Sequence, residues 1–131
     1  CSQMERLDEF VSQRNTLAKI YHNQLAGLPL KLPFDSCGFY SSYHLYIIKL
    51  DCSASIDRSK LFEYLRNKGI GVNVHYIPVH MQPYYQSLGF SDGDFPEAER
   101  QYRNAISIPL YPGLTKENQD FIVKTIKEVM S

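Results

Sequence analysis

Gly69-Ile-Gly-Val-Asn-Val-His75-Tyr76-Ile-Pro78-Val-His80-Met-Gln-Pro83-Tyr84-Tyr85 carries a helix stop, a strand and a polar loop within seventeen residues. Gly69 suits the position just past a helix end, where a left-handed backbone carries no Cβ penalty. Val72 and Val74 alternate with polar neighbours, as a half-buried strand over 72–76 would. The strand then meets two histidines, two prolines and three tyrosines, a density of functional residue types that folding alone does not require. Upstream, Asp57 can cap a helix whose Leu61, Phe62 and Leu65 fall on one face before Lys68 and Gly69 end it. Tyr43–Leu50, rich in aromatic and β-branched residues, reads as a strand before that helix.

Outward from this strand–helix–strand run, apolar Met4, Val11, Ala18 and Leu25 recur every seven positions, with Leu7 and Tyr21 on the adjoining stripe. The spacing predicts one amphipathic helix from Ser2 to about Gly27. It is long for so small a unit, so part of its stripe is expected to face something outside this chain. Residues 28–42 carry Pro29, Pro33 and Gly38 and read as an irregular connection. Past the histidine loop, Met81–Leu88 and Pro96–Asn104 read as short helices, the second with proline in its first turn. Ile106–Leu110 reads as a short strand that Pro109 confines to an end or an edge. Tyr111-Pro-Gly113 is a turn, and Thr115 caps a last helix with Phe121, Ile122, Thr125, Ile126, Val129 and Met130 at helical spacing. Three short strands among helices give an α/β (α+β) class: a small sheet with helices mostly on one face. A doubly wound nucleotide-binding fold is disfavoured, because Gly69-Ile-Gly71 opens a strand where that fold needs a helix.

The chain of 131 residues is long enough for one well-buried domain. Its 14 basic and 14 acidic side chains cancel, so no positive field favours nucleic acid or an anionic membrane as partner. No apolar run approaches a membrane span and no signal peptide is evident. Cys1, Cys37 and Cys52 are odd in number and far apart, which fits reduced thiols and a cytoplasmic location. A first residue of Cys in place of Met suggests a segment of a longer chain.

His75 and His80 lie five apart, but a zinc site would want a close cysteine pair, and Cys37 and Cys52 have fourteen residues between them; no metal is expected. His75 reads as a hydrogen-bonded structural histidine before a ligand contact, whereas His80, in a loop between prolines, reads as a ligand contact. Tyr76, Tyr84 and Tyr85 could stack on a base or sugar, with at least one of them packed structurally. Asp92, Asp94, Glu97 and Glu99 read as a solvated acidic loop leading into a helix. Nucleophilic catalysis lacks a Gly-x-Ser-x-Gly, and Cys37 beside Gly38 has no visible helper.

In this order, strand 43–50, the helix opening near Arg58, Gly69-Ile-Gly71, His75-Tyr76-Ile-Pro78-Val-His80 and Ser107-Ile-Pro-Leu-Tyr-Pro-Gly-Leu-Thr115 together resemble the C-terminal domain of the DegT/DnrJ/EryC1/StrS sugar aminotransferases. Phe95-Pro96-x-Ala98-Glu99 is a weaker third signature. Within the family, Val74–His80 with Gln82-Pro-Tyr-Tyr-Gln86 looks most like the 4-aminotransferases of UDP-4-keto-6-deoxy-hexosamines in the pseudaminic acid pathway. The resemblance implies a connecting helix over 1–27 and a small domain over 28–131 with a mostly antiparallel three-stranded sheet, as in fold-type-I aminotransferases. It also implies pyridoxal phosphate as cofactor, glutamate as amino donor, a UDP-linked keto sugar as acceptor and a homodimer. The Schiff-base lysine, the pyridine carboxylate and the phosphate cradle belong to the family's large N-terminal domain. None of the eight lysines here resembles the family's cofactor-lysine segment, so no catalytic or cofactor-binding residue is expected, and the chain alone should be inactive. The substrate-side candidates are His80, His75, Tyr76, Tyr84 and Tyr85. A stand-alone sugar-nucleotide-binding or interaction module is the alternative.

Overall fold

A computed structural model describes residues 2–34 and 40–130. Cys1, Cys37 and Gly38, weighed above, lie outside the described residues. The expected first helix is two pieces, α1 (Ser2–Glu5) and α2 (Leu7–Leu25), joined at Arg6. The seven-residue spacing survives in α2, where Val11, Ala18 and Leu25 are buried together with Tyr21. Met4 and Leu7 are exposed.

The sheet is antiparallel, in the order β1 (Leu30–Lys31), β2 (Tyr46–Leu50), β3 (Ala105–Ile108). Two of its strands differ from expectation. β1 lies inside the stretch 28–42 that reads as irregular, and its two pairs, Leu30 with Leu50 and Lys31 with Lys49, are formed with residues about twenty positions away. The expected strand over 72–76 is reduced to one bridge, Asn73 with Ser107, closed by two backbone bonds of 3.1 and 2.8 Å. The next residues leave the ladder because the His75 side chain turns to Ser107 and Pro78 has no N–H to donate.

Between the strands, α3 (Arg58–Asn67) starts where expected, with the Lys60 amide donating to the Asp57 carboxylate at 2.8 Å. It ends in a Schellman motif. The Gly69 amide donates to the Arg66 carbonyl and the Ile70 amide to the Leu65 carbonyl, with Gly69 at φ +80° and Ile70 packed in the core beside Leu65. The last helix, α6 (Lys116–Met130), is capped by Thr115, whose hydroxyl accepts from the Asn118 amide.

Tyr46, Ile48 and Leu50 alternate into a core shared with Tyr21 and Leu25 of α2, Leu61 and Leu65 of α3, and Ile122 and Ile126 of α6. Polar bonds fix the arrangement of the helices. Gln119 donates to the Leu17 carbonyl at 2.8 Å, and the buried Tyr21 hydroxyl donates to the Pro109 carbonyl at 2.9 Å. Burial pushes the Tyr21 hydroxyl well above the ordinary tyrosine range, with Tyr111 adding to the effect. α5 (Pro96–Asn104) packs on β2 from the side of Lys49, so helices cover both faces of the sheet. This placement brings one edge of α5 to the histidine loop.

Candidate functional site

The chain from His75 to Tyr85 leaves the end of the Asn73 bridge and is pinned at two points. At the first, His75 Nδ1 lies 2.8 Å from the Ser107 hydroxyl on β3, so the loop entry is tied to the sheet. The His75–Tyr76 peptide is cis, and the two rings meet edge to face at 4.7 Å. Tyr76 itself points away from the core, 75% exposed.

The second point is His80. Pro78 is buried, and a 3-10 turn over Val79–Met81 follows it, with the Met81 amide donating to the Pro78 carbonyl at 2.9 Å. That turn carries His80 inward to 6% exposure, where its Nε2 lies 2.9 Å from Glu99 Oε1 and its ring 4.8 Å from Phe95. Far from being part of a solvated acidic loop, Glu99 is 2% exposed and gathers donors from three segments. The Gly93 amide donates to Oε1 at 2.8 Å and the Phe95 amide at 3.3 Å, while Arg103 donates to Oε2 at 3.1 Å. Arg103 also reaches Asp92 at 2.7 Å. Burial alone would raise the Glu99 carboxyl; the Gly93 amide, His80, the Phe95 amide and Arg103 outweigh it and hold the group below the usual glutamate value, ionised at neutral pH.

Glu99 and Ser107 were therefore the site residues that sequence reasoning did not assign. The Phe95-Pro96-x-Ala98-Glu99 signature contained the signal for Glu99. Its three acidic neighbours, Asp92, Asp94 and Glu97, are exposed as expected.

Beyond His80, α4 (Pro83–Ser87) is shorter than the helix expected over 81–88. It presents Tyr84 at 68% exposure, and Tyr85 packs toward Phe90 at 6.5 Å. Tyr84, Tyr85, Phe90, Phe95 and His80 follow one another in ring contacts of 4.8 to 6.5 Å. Tyr76, Ile77, Val79 and Leu88 are also exposed in this stretch of chain. The structure thus brings His75, His80, Tyr76, Tyr84 and Tyr85 into one segment, with His80 as its buried anchor and the tyrosines as its outer face.

A separate polar cleft of about 540 Å³ lies between the sheet and α5, bounded by Lys31, Lys49, Arg100 and Asn104. Lys31 there pairs with Asp51 at 3.6 Å and Arg100 with Glu97. Among the described residues no group of His, Cys, Asp and Glu could hold a metal ion, and no helix is long and apolar enough to cross a membrane. Pyridoxal phosphate would need an enclosed lysine beside a carboxylate and a phosphate cradle. Seven of the eight lysines are exposed and Lys49 is half-buried at the polar cleft, so the residues present do not fit that cofactor.

Comparison with known proteins agrees with this architecture. The model of the DegT/DnrJ/EryC1/StrS aminotransferase family matches residues 1–127. The spore coat polysaccharide biosynthesis protein SpsC of Bacillus subtilis is 33% identical over 132 residues, covering 98% of this chain and 34% of SpsC. Among solved structures, Spr1654 of Streptococcus pneumoniae in its PLP form superposes with a TM-score of 0.90 at 29% identity, over 98% of this chain and 33% of its own. PseC of Helicobacter pylori, an aminotransferase involved in pseudoaminic acid biosynthesis, superposes at 0.86 with 25% identity, over 98% of this chain and 35% of its own. The chain therefore spans about a third of the length of the proteins it matches. With a family match over residues 1–127 and relatives above 30% identity across nearly its whole length, this chain belongs to the DegT/DnrJ/EryC1/StrS aminotransferase family.

Proposed function

We propose that this chain forms the substrate-side wall of a pyridoxal-phosphate-dependent, cytoplasmic sugar aminotransferase that moves an amino group from glutamate to a UDP-linked 4-keto-6-deoxy sugar. The observation that carries the reading is the rigidly anchored aromatic face of residues 75–85. Tyr76 and Tyr84 are exposed on a loop whose backbone is tied to β3 by His75 and to α5 by His80. Exposed aromatic rings on a fixed base suit a sugar or uracil face, since stacking needs area without the entropy cost of ordering a loop. Family membership favours this reading over a stand-alone binding module.

In this reading residues 1–27 connect to a large domain that holds the cofactor, and residues 28–131 are the small domain that packs on it, in a homodimer. The cofactor, once bound on that large domain, supplies the electron sink for transamination. This chain's part is to bind and orient the nucleotide sugar, with His80, His75, Tyr76, Tyr84 and Tyr85 lining or holding the wall. The likeness to PseC supports a pseudaminic-type sugar. The test is an amination assay of the complete enzyme with glutamate and UDP-, dTDP- and GDP-linked 4-keto sugars. The UDP-linked 4-keto-6-deoxy hexosamine should be aminated with the highest kcat/KM, and preference for a GDP or dTDP sugar would overturn the assignment.

A further inference from the structure

We infer that the polar cleft between the sheet and α5 binds a small organic oxyanion, a phosphate ester or a carboxylate, through Lys49 and Arg100. The substrate wall over residues 75–85 makes no use of this cleft, so the site is a second one and does not depend on that reading.

The register of the sheet sets two lysines directly across from each other. Lys31 of β1 and Lys49 of β2 are antiparallel partners next to the Leu30–Leu50 pair, whose side chains pack on the core. Both ammonium groups therefore leave by the opposite face, on the side that α5 covers. Like charges opposite each other in a sheet repel. Lys31 is compensated by Asp51 at 3.6 Å, a carboxylate that also accepts from the Cys52 thiol at 3.1 Å. Glu97 is taken by Arg100. Lys49 is half-buried, and among the described residues its ammonium has no ion pair or hydrogen bond. A partly desolvated ammonium without a counter-charge is costly, and Lys31, Lys49 and Arg100 against Asp51 and Glu97 leave the cleft net positive.

The free donors suit one chemistry. Lys49 offers three N–H groups and Arg100 a planar fork of five, of which Glu97 engages one terminal nitrogen; neither side chain can accept. An oxyanion supplies the missing acceptors, and the Arg100 fork matches either a carboxylate or a phosphate. Gln101 beside them makes no side-chain hydrogen bond among the described residues, and Asn104 spends its NH2 on the Arg100 carbonyl, so amide groups remain for the neutral part of the ligand. At about 540 Å³ the cleft is larger than a bare phosphate needs and falls within the range of small-molecule sites. A cation has no place there, because both carboxylates are already engaged.

The test is a titration of the 15N-labelled 131-residue chain at low salt with adenosine monophosphate, succinate and inorganic phosphate, followed by amide chemical shifts. Adenosine monophosphate or succinate should give saturable shifts confined to residues 31, 49–52 and 97–104, weakened by added sodium chloride. Response to the first alone assigns a phosphate ester, response to the second alone assigns a carboxylate, and response to both assigns the oxyanion group itself. Lys49→Gln should weaken binding about tenfold, the loss of one charge-assisted hydrogen bond. Arg100→Gln reports the same if the lysine variant fails to fold. Lys19→Gln, exposed on α2 and outside the cleft, should change the affinity less than about twofold, since a distant surface charge is screened. No saturable response to either organic anion, a response to inorganic phosphate alone, or equal weakening by Lys19→Gln and Lys49→Gln overturns the inference.

Discussion

Ser107→Ala isolates the first of the two ties that hold the loop. The Ser107 hydroxyl is 2.8 Å from His75 Nδ1, and the residue is nearly inaccessible to water, whereas the backbone bridge to Asn73 uses no side-chain atom and survives the change. The lost bond leaves His75 half-buried, so water can partly satisfy its nitrogen, and the cost falls near the centre of the range for one neutral bond, about 1 kcal/mol. For a chain of 131 residues the unfolding entropy near the midpoint is about 0.28 kcal/mol/K, so Tm should fall by about 4 °C. The assay is a two-variant cycle with His75→Ala, followed by circular dichroism on thermal melting. If the bond is the tie, the two changes are strongly non-additive, with a coupling of about 1 kcal/mol, because either one removes the same contact. Amide exchange across residues 76–82 should also accelerate while β2 and β3 keep their protection. A Tm change below about 1 °C, or additivity within about 0.3 kcal/mol, would refute the tie.

Two further outcomes follow from the site. Glu99 is held below the ordinary carboxylate value in the folded chain, so its stabilising contribution is complete above the unfolded value of about 4.3 and is lost as pH falls through the lower folded value. Denaturant midpoints of wild type and Glu99→Gln should therefore differ by a constant amount across the neutral range and converge in acid; a gap that persists unchanged below about pH 3 would contradict the assignment. Separately, incubating this chain with pyridoxal phosphate and reducing with borohydride should give no stoichiometric pyridoxyl-lysine, given how its eight lysines are placed. One modified lysine per chain by mass spectrometry would show that the chain holds the cofactor after all.

The elements that could be read from the sequence are those whose signals are local. Asp57 caps α3, Gly69 ends it, Thr115 caps α6 and the seven-residue spacing marks α2, and each of these rests on residues within a turn or two of one another. β1 was hidden because two residues flanked by Pro29 and Pro33 become a strand only through Leu50 and Lys49 far along the chain. The strand expected over 72–76 shrinks to one bridge for the complementary reason: its alternation is real, with Val72 buried, but β3 pairs with it only at Asn73 before His75 turns to Ser107. The site divides in the same way. Its residue types stand together in the sequence from His75 to Tyr85, and Tyr76 and Tyr84 are exposed. His80 looked like an open loop residue because its partner is nineteen positions away, and Glu99 looked solvated because Asp92, Asp94 and Glu97 around it are. Only burial distinguishes the one carboxylate in that run that anchors the loop.

The central claim is that this chain meets the nucleotide sugar while the chemistry of the amino group is carried elsewhere. The most direct measurement is the steady-state kinetics of His80→Ala in the complete enzyme, varying the keto sugar and glutamate in turn. The account predicts that KM for the nucleotide sugar rises about tenfold with KM for glutamate unchanged. Unchanged constants for both substrates, or an equal rise in both, would contradict it.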